Sequence, residues 1–198
     1  MNTRKGLLIA GAGGLGREMA WLVERINAGL PAWAAWNLIG FLDDEKPVGS
    51  NINGHPVVGR IEAVADHPSA YVVCAVGSSK TRKNIVERIT FANHDAQFAT
   101  LIDPSAEISD LVSVGEGSVI CARSVVTVNV SVGKHVIVNP ACTIGHDAIL
   151  ENYATLYSAV NISGAVVVGV GTEVGVGAQV IDEKTVGGHC IVGAGQLS

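Results

Sequence analysis

The last hundred residues of the chain carry an aliphatic side chain at every sixth position. Sixteen consecutive positions spaced in this way are all Ile, Leu or Val: Ile102, Ile108, Val114, Ile120, Val126, Val132, Val138, Ile144, Leu150, Leu156, Ile162, Val168, Val174, Val180, Val186 and Val192. The residue two positions earlier is mostly small, and the residue that follows is often glycine. A fixed internal period of this kind is typical of a repeat architecture, in which stacked units bury one continuous core.

Each six-residue unit predicts one flat side of a triangular coil, with its aliphatic side chain pointing inward. Three sides make a turn of roughly 18 residues, and successive turns stack at about 4.8 Å, the spacing of neighbouring strands. Residues 18 apart should therefore lie directly above one another. A β-sandwich is the alternative, but it requires alternation with a period of two and turns about every 8 to 12 residues.

One inward slot holds a residue that does not suit a dry core. Lys184 lies two residues before Val186, where the other units mostly have a small side chain. An unpaired lysine is costly to bury, so we expect a bulge or a loop at this point.

The first hundred residues follow a different rule, in which strand-like and helix-like segments alternate. The segments that predict strands are GLLIAGAGG, NLIGFLDD, YVVCAVGSS and AQFATLI, and those that predict helices are LGREMAWLVERIN and KTRKNIVERIT. Such alternation favours a small parallel sheet with helices on its faces. We therefore predict a mixed architecture, with a Rossmann-like α/β domain over residues 1–100 and a parallel β-helix over residues 101–198.

Composition narrows the class of protein. The chain has 13 Lys and Arg against 18 Asp and Glu, a net charge of -5, and no concentrated basic patch, which argues against a nucleic-acid partner. The first apolar run ends at glycine after four residues, too short for a signal-peptide core, and no apolar run is long enough to span a membrane. The four cysteines form no CxxC motif and are expected to be small buried free thiols. We expect a cytoplasmic protein.

Four segments, in this order and phased with the repeat, resemble a known family. They are GAGGLGRE (11–18), FLDD (41–44), VGSSKTRKNI (76–85) and IGHDAILENYA (144–154). They resemble the left-handed β-helix sugar acetyltransferases that have a Rossmann-like N-terminal domain, related to sialic acid O-acetyltransferase and to the UDP-4-amino-sugar N-acetyltransferase of bacillosamine synthesis. The left-handed winding is implied by this resemblance, because the spacing alone does not set the hand. The resemblance also implies acetyl-CoA as co-substrate, a nucleotide-linked sugar as acceptor, and a homotrimer with its active-site groove between two subunits.

The glycine-rich segment is a candidate phosphate site, because it follows a strand and opens a helix. Backbone N–H groups and the dipole of a helix N-terminus favour an anion. From the residues alone, a dinucleotide site with Asp43 on a ribose and a purely structural glycine turn both remain open. The resemblance implies that the crevice holds the nucleotide of a UDP-sugar, with contacts from Gly11, Gly13, Gly14, Leu15, Gly16, Asp43, Asp44 and Gly77. Lys80 and Arg82 could also attract the phosphates, or could be solvated charges on a helix face.

His146 and Asp147 follow the inward Ile144, which places them on a corner of the coil and not in its core. From the sequence alone, a histidine at such a corner is about as often a simple solvated side chain as a functional one. The resemblance implies that His146 is a general base, which takes a proton from the sugar amine or hydroxyl as that group attacks the thioester. A histidine with the ordinary pKa of about 6.5 is largely neutral near pH 7, and a neighbouring carboxylate such as Asp147 can orient the ring.

Three further residues are candidates for contact with acetyl-CoA. Gly164 lies 18 residues after His146, and the resemblance implies that its bare amide meets the thioester carbonyl. Val176 matches a position further along the coenzyme groove. The sequence departs from the family pattern at two places. Thr155 stands where the bacillosamine enzyme has a second histidine, and the given sequence stops at GAGQLS, without the Gly-x-Pro-Ala-Lys-like tail of the family.

No metal is expected. His135 and His189 are 54 residues apart, which is three turns, so stacking would separate them by about 14 Å. That distance is too long for joint zinc ligation.

These observations predict an acetyl-CoA-dependent sugar acetyltransferase that acts on a nucleotide-linked sugar, with the amine of a UDP-4-amino sugar as the favoured acceptor. Sugar O-acetylation of the sialic acid type, a nicotinamide-dependent oxidoreductase and a non-enzymatic trimerising scaffold are the alternatives. The identities of the sugar, the nucleotide and the acyl group stay open at this point.

Overall fold

The chain forms two compact units in the computed structural model, which describes residues 4–197. The first unit comprises the residues up to Gly77 together with Thr81–Ala99. The second comprises Ser78–Lys80 and the residues from Thr100 onward.

A six-stranded sheet forms the centre of the first unit. Its strands are β1 (Gly6–Ala10), β2 (Asn37–Leu42), β3 (Asn51–Ile52), β4 (His55–Gly59), β5 (Tyr71–Cys74) and β6 (Gln97–Phe98). They lie in the order β3-β4-β2-β1-β5-β6, and every pair is parallel except β3 with β4. The central strand β1 has four fully buried residues in a row, as expected of a parallel strand covered on both faces.

Two α-helices accompany this sheet. Helix α1 (Gly14–Ala28) buries apolar side chains at helical spacing, namely Met19, Ala20, Leu22 and Val23, and helix α2 spans Ser79–Ala92. A short 3-10 helix spans Ile61–Asp66. Within residues 4–197, neither helix has the length and apolar character needed to cross a membrane.

The predicted α/β architecture is confirmed, with two differences. The β3–β4 hairpin and the 3-10 helix were not predicted. The hairpin gives little signal in the sequence, because β3 has only two residues and Pro56 interrupts the apolar pattern of β4. The segment AQFATLI, predicted as one strand, is divided: β6 joins the first sheet, whereas Leu101–Ile102 is a strand of the second unit.

The second unit is a coil of two-residue strands that recur every six residues. Sixteen such strands lie within the described residues: β7 (Leu101–Ile102), β8 (Glu107–Ile108), β9 (Ser113–Val114), β10 (Val119–Ile120), β11 (Val125–Val126), β12 (Ser131–Val132), β13 (Ile137–Val138), β14 (Thr143–Ile144), β15 (Ile149–Leu150), β16 (Thr155–Leu156), β17 (Asn161–Ile162), β18 (Val167–Val168), β19 (Glu173–Val174), β20 (Gln179–Val180), β21 (Thr185–Val186) and β22 (Ile191–Val192). They form three parallel sheets, each made of every third strand. Every pairing joins residues 18 apart, as between Ile120 and Val138, so the three-sided winding is confirmed.

The repeated aliphatic side chains form the core of this coil. Those from Ile120 to Val180 are all buried, whereas Ile102, on an end strand of its sheet, is 38% exposed. The small inward slots also hold hydroxyl groups, and these are satisfied: Ser118 Oγ donates to Gly133 O at 2.7 Å and accepts from Val136 N. Buried polar groups are tolerated when they are paired in this way.

The bulge expected at Lys184 is absent, and that prediction is wrong. Strands β20 and β21 keep the six-residue spacing, and Lys184 O accepts the ladder hydrogen bond from Val167 N at 2.9 Å. Lys184 is exposed. The physical reason is that, within residues 4–197, β21 is an end strand of its sheet, so no described strand covers the slot of the lysine.

Three of the four cysteines are buried free thiols, as expected, whereas Cys190 is exposed. Burial raises the pKa of the Cys74 thiol to about 12 and that of Cys142 to about 11. These two thiols are therefore protonated and unreactive at neutral pH.

Candidate active site

The corner between β14 and β15 presents His146 and Asp147 to solvent. Their side chains are 64% and 54% exposed, and His146 Nδ1 lies 2.8 Å from Asp147 Oδ2. Asp147 has a left-handed backbone with φ 59°, and its N–H donates to Val128 O of the preceding turn at 3.1 Å. The corner position predicted for the pair is therefore the one observed.

The contact with Asp147 sets the tautomer of the imidazole. Hydrogen bonds from His146 and then from Asn129 hold the pKa of the Asp147 carboxyl below its ordinary value, so the group is ionised at neutral pH. An ionised carboxylate only accepts hydrogen bonds, and therefore Nδ1 of the ring carries the proton. Nε2 is left with the lone pair that a general base needs.

Gly164 lies against the ring of His146, one turn further along the coil. A Cβ atom added to Gly164 would come within 2.5 Å of His146 Nε2, so any side chain here would displace the imidazole. The 18-residue stacking thus brings the two residues together, as the sequence predicts. Glycine at this position lets the imidazole keep the place that it has in the structure.

The amide of Gly164 is not bare, contrary to expectation. Its N–H donates to Asp182 Oδ1 at 2.8 Å, and Asp182 lies a further 18 residues along the chain. A ligand that takes a hydrogen bond from this amide must therefore displace the carboxylate.

The other two candidates for acetyl-CoA contact lie apart from this corner. Thr155 is in β16, on a different sheet from β14, and has no exposed surface. A ligand can reach it only if its neighbours move. Val176 follows β19 and is 54% exposed, so it can contribute apolar surface to a groove.

A groove of about 410 Å³ lies on another part of the coil. It is lined by residues of β12 and β15 and by the corner that follows them, including Gly133, Ile149, Glu151, Asn152 and Val170. Two of its polar side chains already hold backbone amides: Glu151 accepts from Val170 N and Asn152 accepts from Lys134 N. Within residues 4–197, no group of three or more His, Cys, Asp or Glu side chains is placed to hold a metal ion.

In the first unit, the glycine-rich segment lies where the order of the parallel strands reverses. Strands β2 and β5 flank β1 on opposite sides, and ligands of open α/β sheets bind at such a switch point. The segment is shaped by glycine: Gly11 has φ +106°, and a Cβ on Gly16 would collide with Gly11 O. Gly13 faces open space and Gly14 nearly so, which leaves room beside Leu15 at the start of α1.

Asp43 holds this segment from the end of β2. Its Oδ2 accepts from Ala12 N at 2.7 Å, and its Oδ1 accepts from Glu45 N and Lys46 N, each at 2.9 Å. Burial works to raise the pKa of the Asp43 carboxyl, but these hydrogen bonds together bring it below its ordinary value. Asp43 therefore has a structural role whether or not it also contacts a ribose.

Asp44 belongs to a cluster of charges that the sequence did not single out. Arg88 Nη1 lies 2.6 Å from Asp44 Oδ2, and Arg88 Nη2 lies 2.6 Å from Glu62 Oε1. The hydrogen bond from Arg88 lowers the pKa of the Asp44 carboxyl. The Asp44 carboxylate is thus already paired with Arg88 within the protein.

The two basic candidates differ. Arg82 is completely buried, and its Nη1 donates to Val76 O at 2.7 Å and to Gly77 O at 2.9 Å, so the alternative of a solvated charge is wrong for this residue. Arg82 fixes the loop after β5 that contains Gly77. Lys80 is exposed and lies in the three-residue segment assigned to the second unit.

Comparison with known proteins agrees with both units. Residues 6–89 match the family model of the PglD N-terminal domain. The acetyltransferase domain of PglB from Neisseria gonorrhoeae in complex with acetyl coenzyme A is 30% identical, with a TM-score of 0.86 over 98% of this chain and 90% of that one. The same domain without a named ligand gives 29% identity and a TM-score of 0.89, over 98% and 91% of the two chains.

The chain belongs to the left-handed β-helix sugar N-acetyltransferases.

A second member of this family is also similar. A variant of perosamine N-acetyltransferase from Caulobacter crescentus, in complex with CoA and GDP-perosamine, is 25% identical, with a TM-score of 0.87 over 99% of this chain and 89% of that one. No curated protein sequence matches the chain. Family membership confirms the resemblance carried by the four segments, the acyltransferase class and the fold.

Three residues of this sugar N-acetyltransferase that contact the candidate site were missed in the sequence: Asn129, Asp182 and Arg88. The first two had a usable signal, because Asn129 lies 18 residues before Asp147 and Asp182 lies 18 after Gly164. Extending the stacking rule by one turn in each direction finds both. Arg88 had no such signal, since its partners come from separate parts of the first unit.

Proposed function

We propose that this enzyme transfers the acetyl group of acetyl-CoA to the amine of a nucleotide-linked amino sugar, with a UDP-4-amino sugar as the favoured acceptor. The observation that carries the proposal is the pairing of His146 Nδ1 with Asp147 Oδ2, which leaves Nε2 as a base beside Gly164. One similar structure, at 30% identity, is in complex with acetyl coenzyme A, and another, at 25% identity, is in complex with CoA and GDP-perosamine.

The proposed reaction is a direct attack on the thioester. The lone pair of the neutral sugar amine forms the new C–N bond at the acetyl carbonyl carbon while His146 Nε2 accepts a proton from the nitrogen. The C–S bond then breaks, and the proton passes from the imidazolium to the departing CoA thiolate. Asp147 stabilises the transient imidazolium and stays ionised throughout.

We assign the remaining candidates to two binding regions. The nucleotide is held by the glycine-rich segment at the start of α1, with Asp43, Asp44, Gly77 and Lys80 as further candidates, and Arg82 acts by fixing the loop. Open space at Gly13 and the dipole of a helix N-terminus support a phosphate there. The acetyl-CoA groove includes Gly164 and the exposed Val176. Thr155 is buried and belongs to the groove only if the residues that cover it move.

The active assembly is proposed to be a homotrimer that works in the cytoplasm. The trimer is implied by the resemblance to the family, in which the groove lies between two subunits. The three buried cysteines form no disulfide, which supports a reducing compartment.

The experiment that tests the function is an acceptor panel. The purified protein is incubated with acetyl-CoA and with UDP-, GDP- and CMP-linked amino sugars, each paired with the analogue that has a hydroxyl in place of the amine. Product is followed by mass, because the exposed Cys190 would contribute background to a thiol reagent. We expect acetylation of an amino sugar and not of its hydroxyl analogue; transfer to the hydroxyl alone would instead support O-acetylation.

His146→Ala serves as the negative control for this panel. A general base contributes roughly 10²–10⁴ to the rate, so the variant should lose at least 100-fold in kcat while it still binds acetyl-CoA. A loss of less than about tenfold would remove the proposed role of His146. If the wild-type protein acetylates none of the acceptors, the proposed function itself is wrong.

A further inference from the structure

The carboxylate that orients His146 needs an anchor of its own. Asp147 lies on an exposed corner, where a side chain is free to change rotamer and solvent weakens a single ion pair. A carboxylate that rotates would present either oxygen, or neither, to the imidazole. The tautomer of His146 would then not be fixed.

Asn129 supplies a second contact to this carboxylate. It lies 18 residues earlier, in the turn directly below Asp147, and its Nδ2 donates to Asp147 Oδ1 at 3.1 Å. Only the N–H₂ end of an amide can donate to an ionised carboxylate, so the orientation of the amide is determined.

The backbone fixes the two turns against each other. Both Asn129 and Asp147 have φ 59°, and the hydrogen bond from Asp147 N to Val128 O joins the corners. Asparagine is one of the few residues that adopt this left-handed conformation readily. The amide side chain of Asn129 therefore starts from a backbone position that is fixed relative to Asp147.

We propose that Asn129 is a positioning residue for catalysis: it holds one oxygen of Asp147 so that the other fixes the tautomer of His146. The proposal rests on the proposed function, in which His146 is the base. A chain of contacts runs from Asn129 Nδ2 to Asp147 Oδ1, and from Asp147 Oδ2 to His146 Nδ1. In this proposal Asn129 acts through Asp147 and not through a contact of its own with substrate or coenzyme.

The alternative is a contact that only stabilises the coil. Other side chains 18 apart are joined in the same way, such as Thr143 with Asn161 at 2.7 Å and Lys134 with Glu116 at 2.7 Å. A merely structural contact would change thermal stability but would leave the imidazole tautomer and the pH dependence of kcat unchanged.

Asn129→Ala tests the proposal without disturbing the corner. The coil already has alanine in this left-handed conformation at Ala141, Ala159 and Ala165, so the variant should fold. Arg123→Ala is the matched control, because it also introduces alanine at φ 59°, on another corner. Asn129→Asp keeps the shape but replaces the donor with a charge.

The first readout is the nitrogen chemical shifts of His146 at pH 8, assigned by their loss in His146→Gln. We expect a protonated Nδ1 and an unprotonated Nε2 in the wild type and in Arg123→Ala, and converging shifts in Asn129→Ala as the tautomers mix. The second readout is kcat, which should fall about tenfold in Asn129→Ala with little change in either KM, because a small misplacement of the base is costly.

The pH profile gives a third readout. In Asn129→Asp, a second carboxylate stabilises the imidazolium, so the acid limb of kcat should move to higher pH. The turns adjacent to this corner carry no charged side chain at Thr127–Asn129 or Ser163–Ala165. The next charged groups on the same corner are two turns away: Asp110, Asp182 and Glu183.

An unchanged tautomer in Asn129→Ala would overturn the proposal, and so would a changed tautomer with an unchanged kcat. The nuclear magnetic resonance measurement needs no substrate. It therefore shows whether Asn129 fixes the tautomer of His146 even if acetyl transfer is not found, so the two proposals fail separately.

Discussion

Individual residues of the His146 corner form a ladder that runs across three turns of the coil. Val128, His146, Gly164 and Asp182 succeed one another at intervals of 18 residues. The ring of His146 lies against Gly164, the amide of Gly164 is held by Asp182, and Val128 O accepts from the N–H of Asp147, the neighbour of His146. The chemistry of the corner is therefore set by residues far apart in sequence but adjacent along the coil.

Asp182→Ala tests whether acetyl-CoA uses the amide of Gly164. If the thioester oxygen takes this hydrogen bond, the carboxylate competes with it. Its removal should then lower the KM for acetyl-CoA by about fivefold, equivalent to a net hydrogen bond of roughly 1 kcal/mol. Initial rates over a range of acetyl-CoA concentrations measure the effect.

Glu183→Ala is the control, because it removes the same charge from the neighbouring residue. It should leave the KM for acetyl-CoA unchanged. A KM that is unaltered or higher in Asp182→Ala would show that the amide is not a coenzyme contact.

The elements of the coil explain where its glycines lie. Among the described residues, the corners from Gly117 to Gly195 have a left-handed backbone at every sixth position, fourteen in all, and only four of these are glycine. The glycines after the inward aliphatic residues serve another purpose. At Gly145, for example, a Cβ would lie 2.7 Å from Gly164 N in the next turn, so close stacking of turns excludes a side chain.

The cluster around Arg88 makes the stability of the first unit depend on pH. The pKa of Asp44 is lowered in the folded state, so its contribution is present above the ordinary aspartate pKa of about 4 and is lost as the pH falls through the lower folded value. Asp44→Asn cannot titrate. It should lower the melting temperature at pH 7 and reduce the difference between pH 7 and pH 3.

Tryptophan fluorescence measures this effect in the first unit alone, because all three tryptophans, Trp21, Trp33 and Trp36, lie there. Glu45→Gln makes the same chemical change at the next residue and serves as the control. Equal pH dependence in Asp44→Asn and the wild type would contradict a stabilising role for the Arg88 pair.

At the scale of the whole molecule, the chain combines two units that are built in different ways. The first is a mostly parallel sheet with helices, and its candidate ligand region lies where the strand order reverses at β1. The second is a quasi-one-dimensional stack, in which each turn contacts only its neighbours. Acetyl transfer to a nucleotide-linked sugar requires both a nucleotide site and a thioester site, which is consistent with two units in one chain.

Dilution tests the proposed trimer. If the acetyl-CoA groove lies between subunits, specific activity should fall as the protein is diluted, in parallel with the loss of trimer seen by sedimentation velocity. Saturating acetyl-CoA should delay the loss, because a ligand that binds the assembly stabilises it. Full activity in a sample that sediments as monomer would contradict the intersubunit groove.

The sequence by itself determined the architecture of the coil. A strict six-residue period predicts a three-sided coil with the aliphatic side chains facing inward, and that geometry fixes which residues stack 18 apart. It was enough to place His146 on a corner beside Gly164. Periodicity is a local property of the chain, so no tertiary information was needed to read it.

Only the tertiary structure decided which polar atoms are engaged. Arg82, which the sequence allowed to be solvated, is buried against Val76 and Gly77, and the amide of Gly164, which the sequence left bare, is held by Asp182. Asp43 binds the glycine segment through Ala12, 31 residues earlier. Hydrogen bonds of this kind depend on side-chain direction to within about an ångström, and a pattern of residue types does not carry that information.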